Sequence, residues 1–398
     1  MSEDFAVAIG WSGTAEPGRA GKEAAEQALE QLGAIRPQLA LVFGSSWFQQ
    51  TALLQGVRVV LGEIPLVGES TAGELVTDGL LTHSCTVVLL ASKAMVCSVG
   101  MAEGADRTPR EAGQQAARTA LQGFPPGGSR KAFLLFGDGL LTSYADVVRG
   151  IQEVLGTSFL VAGGMAGDDL RFSQTYQYCN DRVASRAVVG VLLGGAIKVG
   201  VGSEHGFVPI SKPRRITRAR ANILYELDQR PAASVYEEYF GAELVERMRQ
   251  ERFPRQGIAY PLGLQRQTSE RWLLRNVVSF GDDGSLLCSG EMLQDAWLQL
   301  MIGSRELAIE AARHAAQQAV AGLAHVGCIL VFDAVARRKL LGSQHAAREI
   351  AVIREVAGPS VPVAGCYTYG EQAPCASGAS DDQIAFQTGS VLVIAIGT

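Results

Sequence analysis

VGESTAGE (residues 67–74), VAGGMAGD (161–168) and AGCYTYGE (364–371) are three versions of one turn. Read alone, the first has the G-x-S-x-small spacing of a hydrolase nucleophile elbow, Gly68-Glu69-Ser70-Thr71-Ala72, after the apolar run Ile64-Pro65-Leu66-Val67. The other two copies remove the serine, because Gly164 and Tyr367 align with Ser70. An elbow also passes directly into a long helix. Here only LVTDGLLTH (75–83) separates Glu74 from the next apolar run, and Gly79 interrupts it. The turn is therefore expected to serve something other than an attacking serine.

Outward from the turn, the similarity extends over a whole unit. Three Ala-rich amphipathic stretches read as helices, at 20–33, 108–123 and 304–323. Each precedes a strand-like run with a phenylalanine near its end: LALVFGSS (39–46) with Phe43, AFLLFGDG (132–139) with Phe136, CILVFDAV (328–335) with Phe332. A second helical stretch, a short buried strand and the turn come after it. A last strand closes each unit, at 85–92, 187–195 and 390–398. The unit is α-β-α-β-turn-β, with expected extents 20–104, 108–202 and 304–398.

Residues 203–300 depart from the repeat. RNVVSFGDDGSLLCSGE (275–291) reads as a hairpin around Asp282-Asp283-Gly284. The stretch 230–248 reads as a helix opening with Pro231, and the Pro/Gly-punctuated 253–264 reads as a loop. The expected fold is α/β and two-domain. Its mixed sheets are built from the repeated units, with a β-rich insertion at the start of the C-terminal domain. The N-terminal domain is expected over 1–222 and the C-terminal domain over 223–398.

Composition narrows the function. The chain has 398 residues, is 47% hydrophobic and 19% charged, and carries a net charge of -5. That balance builds a large core and disfavours nucleic acid, whose phosphates need a basic surface. The basic stretch KPRRITRAR (212–220) reads as the solvent face of a strand or linker. MSEDFAVAIG lacks the charged-then-apolar pattern of a secretory signal. The longest apolar run, 187–202, is broken by Lys198 and glycines, short of a membrane span. Seven scattered cysteines and five histidines show no metal-ligand spacing, so reduced thiols in a cytoplasm are expected, with no metal and no cofactor.

The turns allow two readings. A glycine-rich bend exposes backbone N–H groups that can hold a carboxylate or phosphate, and the acids Glu74, Asp168 and Glu371 could hold an ammonium. Alternatively, the glycines only fit tight turns and the acids cap the next segment. His205, in GSEHGF, is a structural histidine or a ligand contact. Tyr367 and Tyr369 should face one side, as core or pocket wall. Asp138 is expected to cap the next helix. Adjacent Asp168 and Asp169 should point apart, which disfavours a shared metal. Cys366 lies inside the third turn.

LALVFGSS, PLVGESTAGEL and VAGGMAGDD resemble the FIST N domain. The stretch from GVLLGGAIKVGVGSEHGFVPI to SVYEEYFG resembles the junction into FIST C. YPLGL, WLLRNVVSFGDDGSLLCSGEM and VAGCYTYGEQAP resemble FIST C itself. The family, named for F-box and intracellular signal transduction proteins, implies a bacterial-type sensory module that binds small ligands such as amino acids. The resemblance highlights Gly68, Gly73, Gly163, Gly167 and Asp168, then His205, Gly206 and Pro209. In the C-terminal half it highlights Arg275, Glu349, Gly365, Tyr369, Gly370 and Glu371. It supplies no catalytic residue. Asp333, Ala334 and Val335 stand where the family often has Cys or Ser, so no thiol role transfers.

The resulting expectation is a cytoplasmic, non-enzymatic sensor of a small polar metabolite, with no membrane insertion. Its candidate ligand residues are Gly68, Glu69, Ser70, Thr71, Gly163, Gly167, Asp168, His205, Gly365, Tyr367, Tyr369, Gly370 and Glu371. No stretch reads as an output domain, so a signalling partner is expected in trans. The alternatives are a hydrolase using Ser70, or Asp168 and Glu371 with a metal, and a scaffold that binds only protein.

Overall fold

The computed structural model describes residues 5–141, 144–251, 254–265, 272–374 and 384–398. The threefold repeat is present, and its unit is one strand longer than the turns and helices alone indicate. The first unit runs through strand Ala6–Ser12, helix Pro17–Leu32, strand Leu39–Ser45, helix Gln50–Leu61 and strand Leu66–Thr71. A hairpin, Glu74–Val76 with Gly79–Leu81, and strand Cys85–Ala91 complete it. The second and third units open with Met95–Glu103 and Lys198–Glu204. These opening strands fell to the tails of the preceding units in the expected extents. They are sheet edges and only half-buried, so they lack the solid apolar run that marks the others.

The turns lead into an exchange. Each unit forms its own mixed sheet, in which only the strands before and after the second helix are parallel. The hairpin after each turn then leaves for another sheet. The first unit's hairpin pairs with the third unit's Val363–Thr368 (Ala364 opposite Val76). The second unit's hairpin, Gln177–Cys179 with Arg182–Ala184, pairs with the first unit's Leu66–Thr71. The third unit's hairpin, Glu371–Pro374 with Ile384–Gln387, pairs with the second unit's Val161–Met165. The exchange is cyclic and ties three six-stranded sheets into a closed ring.

Inner faces of all three sheets share one core. Phe43, Phe136 and Phe332 meet there, with ring centroids 5.9 to 6.4 Å apart. Tilted and edge-to-face pairs of this kind add about 0.5–1.5 kcal/mol each beyond their buried area. Helices cover the outer faces, and their alanines are explained by how close they come. A Cβ on Gly10, Gly100 or Gly200 would lie 1.9 to 2.0 Å from the carbonyl oxygens of Ala24, Ala116 and Ala319. The run 187–202 divides into Ala187–Gly195 and Lys198–Glu204, strands of two different sheets. Among the described residues no helix is long and apolar enough to cross a membrane.

The described residues between 207 and 303 form a separate sheet of nine described strands with its own core, inserted between Lys198–Glu204 and helix Arg305–Val320. The expected hairpin is Val277–Phe280 against Leu286–Cys288, turning at Gly284 (φ 78°). The basic stretch contributes Arg214–Arg220, a strand whose side chains are mostly solvent-facing. The helix expected over 230–248 is two, Ser234–Phe240 and Ala242–Arg249, broken by Gly241 at φ 81°. Pro231 sits in a short strand before them. The expected loop at 253–264 holds helix Arg255–Ala259 and strand Leu262–Gln265, while Phe253 lies outside the described residues.

Candidate functional site

Strand register aligns the turns by structure. Gly68, Gly163 and Gly365 are equivalent: a Cβ on each would lie 1.8 to 1.9 Å from the carbonyl oxygen of Val42, Leu135 or Val331 on the neighbouring parallel strand. These glycines admit a backbone, not a ligand. In this register Ser70 aligns with Met165 and Tyr367, one residue past Gly164. The acid positions shift too. Glu74 stands opposite Cys366, Glu371 opposite Gly164, and Gln177 opposite Glu69. The second unit therefore carries Gln177 where the others carry an acid. Asp168 belongs to an extra loop, 166–176.

The turns bond to one another. Ala72 N–H donates to Tyr367 O and Tyr367 N–H to Gly73 O. Met165 N–H donates to Gly370 O, Tyr369 N–H to Met165 O, and Gly167 N–H to Ser70 O. These amides, the cradle expected for an anion, are spent on joining the three units. The Ser70 hydroxyl is fully buried, donates to Gly167 O (2.7 Å) and accepts from Tyr176 N–H (2.9 Å). It pins the extra loop and has no free proton for a base to remove.

The acids are equally occupied. Glu74 accepts from the Thr71 hydroxyl and from Ser84 Oγ (2.6 Å). Glu371 repeats the pattern with Thr368 and Ser390, both at 2.8 Å. Gln177 keeps it in neutral form, accepting from Ala187 N–H and donating to Thr175. Burial pushes Glu74 up to about 7 and Glu371 up to about 8. Glu69 lies beside Cys366 (3.6 Å), its second oxygen unpartnered, and burial holds its carboxyl well above the usual range. Burial, then the charge of Glu69, also pushes the Cys366 thiol well up, so it is no ready thiolate.

Other candidates hold structure together. His205 Nδ1 accepts from Phe207 N–H (3.0 Å), and its carbonyl accepts from Arg337. Arg337, fully buried, also binds Asp333 (2.7 Å) and Glu349. Asp333 thus serves an internal ion-pair triad, and burial raises its carboxyl well above the usual range. Tyr367 and Tyr369 pack in one cluster, with Arg338 over the Tyr367 ring. Among the described residues Asp138 caps no helix. It accepts from Leu140 N–H, Thr175 Oγ1 and Arg186 N–H, tying the second unit's loop to its hairpin. Among the described residues no His, Cys, Asp or Glu group could hold a metal ion, and six cysteines are free thiols. Cys375 lies outside the described residues.

Space opens beside the extra loop. A cavity of about 140 Å³ lies where the second unit, the third unit and the inserted sheet meet. Leu140, Leu170 and Phe172 wall it from the second unit, Val335 and Tyr369 from the third, and Val278 from the insertion. Its described polar lining residues are Asn222, Asn276, Ser289 and Tyr369, and none of the described lining residues is charged. Asn276 Nδ2 donates to Thr388 O (2.6 Å), which fixes its amide, yet its Oδ1 is buried without a partner. Phe172 stacks on Tyr369 at 4.6 Å and 24°. The Tyr369 hydroxyl donates to Asp168 and accepts from Leu170 N–H. Asp168 further accepts from the N–H groups of Phe172, Ser173 and Gln174. Of the candidates read from sequence, Tyr369 lines the cavity and Asp168 supports it; the others lie on the bonded turns or at the His205 bend. Asn276 and Ser289 were missed. The nearest signal was Arg275, whose guanidinium donates to Phe386 O and Glu291 O and so fastens the insertion in place.

Comparison with known proteins identifies the family. The FIST N domain model matches residues 38–230 and the FIST C domain model residues 232–374. An uncharacterised protein of Methanocaldococcus jannaschii is 33% identical over 88 residues, covering 22% of this chain and 17% of that protein. Among solved structures, cyanuric acid hydrolase from A. caulinodans gives a TM-score of 0.39 at 10% identity, over 99% of this chain and 100% of that one. PurLQS from Thermotoga maritima gives 0.23 at 11% identity, over 99% and 73%. With both of its domain models matched over most of its length, the chain belongs to the FIST family, whose domains are associated with sensory signal transduction.

Proposed function

We propose that this protein is a small-molecule sensor and that the cavity beneath loop 166–176 is its receptor site. The observation that carries the reading is Asn276 Oδ1, a buried acceptor without a partner in a residue lining a mostly apolar cavity. An unpartnered group of this kind costs about 1–3 kcal/mol, which a ligand N–H or O–H would recover. The cavity is close in size to engineered cavities of about 150 Å³ that take benzene. The described lining residues are uncharged and favour a neutral, largely apolar compound with one hydrogen-bond donor. The amino acid expected from the sequence would find no counter-charge among the described lining residues, since Asp168 is engaged behind Tyr369. A signalling partner in trans remains part of the proposal.

A thermal-shift screen of neutral aromatic amides, phenols and lactams tests it. Ligand at a hundredfold excess over its Kd stabilises by about 2.7 kcal/mol, a shift of several degrees. Val278→Phe, which fills the cavity, and Asn276→Leu, which removes the acceptor, should each erase the shift. Hits that survive both substitutions would defeat the assignment.

A further inference from the structure

The extra loop has two sides. Leu170 and Phe172 line the cavity, whereas Asp169 and Arg171 turn away from it toward the first unit. Asp169 accepts from Ser45 Oγ (2.9 Å) and Ser46 Oγ (3.0 Å). Arg171 donates to Ser46 O (2.9 Å) and Ser46 Oγ (2.8 Å), and its guanidinium lies 5.8 Å from the Trp47 ring. Trp47 is 62% exposed and packs edge-on against His83 at 4.8 Å. The backbone between the two sides is strained: Asp169, Leu170 and Phe172 all have left-handed φ, at 54°, 65° and 50°. Non-glycine residues held this way cost about 1–3 kcal/mol each and persist only where surroundings over-determine them. The surroundings here are Asp168 with its three amide partners and the Phe172–Tyr369 stack.

We propose that residues 168–173 transmit occupancy of the cavity to the exposed Trp47–His83–Arg171 face, a reading that rests on the cavity being the receptor site. A ligand competes for the space beside Phe172 and Leu170. Any shift of those side chains moves Asp169 and Arg171 with them, because no flexible residue separates them. The hydroxyls of Ser45 and Ser46 then lose or remake their bonds, and Trp47 changes its environment. The alternation of cavity-facing and surface-facing residues supplies the lever, and the left-handed backbone supplies a second, less strained arrangement.

The test uses Trp47 emission in the full chain, read as the difference between the wild type and Trp47→Phe. Benzamide is the probe, since it is neutral, planar and carries an amide donor. Benzamide should raise the melting temperature and change both the Trp47 emission maximum and its quenching by acrylamide. Arg171→Ala should retain the melting shift and lose the emission change. A melting shift with unchanged Trp47 emission would overturn the transmission proposal and leave the receptor reading standing. If benzamide gives no melting shift, Phe172→Ala, and Phe172→Leu should the first fail to fold, perturb the cavity side directly. Unaltered Trp47 emission in a folded Phe172 variant would then overturn the proposal independently of any ligand.

Discussion

The turns of the first and third units and the corresponding stretch of the second are built on one frame and finish differently. In the first and third, the chain passes from turn to hairpin within two residues, and a buried glutamate locks the corner through a threonine and a serine. In the second, the glutamate is replaced by Gln177 and eleven residues, 166–176, intervene. The locked corners join the sheets, and of their residues Tyr369 also reaches the cavity. The extended corner has the left-handed residues, the Asp168 cap and one wall of the cavity. Divergence among repeats, rather than the repeat itself, marks where this molecule has room to act.

The largest effect should come from a place where the third unit departs from the others. Asp333 occupies the register position of Gly44 and Gly137, and its partner Arg337 is fully buried. Arg337→Ala leaves two carboxyls without their cation and should cost about 3–5 kcal/mol. Urea denaturation would check it, and a loss below about 1 kcal/mol would show the triad to be solvated. Ser70→Ala comes next. It removes the donor to Gly167 O and the acceptor of Tyr176 N–H, for about 1–3 kcal/mol, and the loss should be accompanied by easier proteolysis within 166–176. Labelling of Ser70 by a fluorophosphonate would contradict its buried, doubly bonded state.

Another effect concerns pH. The Glu371 carboxyl is raised from its ordinary value of 4.5 to about 8, so the folded protein holds a proton that the unfolded chain releases. The associated stability is complete below pH 4.5 and is lost as pH rises through about 8. Glu371→Gln, which copies Gln177, should flatten that part of the stability–pH profile while keeping the corner folded. An unchanged profile would mean that Glu371 ionises freely in the native state.

Much of this frame was legible in the sequence. The phenylalanines at the ends of three apolar runs marked the repeated strand, and the Asp-Asp-Gly turn marked its hairpin. Two errors had physical causes. Gly163-Gly164 offers two alignments one residue apart, and only the close approach of Leu135 O selects Gly163 as the match of Gly68. Asp168 looks like the acid of the other turns because sequence spacing cannot tell a corner from the first residue of a loop. The hairpin exchange was invisible because pairing partners such as Val76 and Ala364 are remote in sequence. The cavity was invisible for the same reason: Leu140, Phe172, Asn276 and Tyr369 converge only in the folded ring.

Amide hydrogen exchange with and without benzamide compares the two kinds of corner in one experiment. The account predicts slower exchange at Phe172, Ser173 and Gln174, whose N–H groups Asp168 holds, and unchanged exchange at the corners 71–74 and 368–371. Protection spread evenly over all three corners, or none at 172–174 while benzamide is bound, would contradict it.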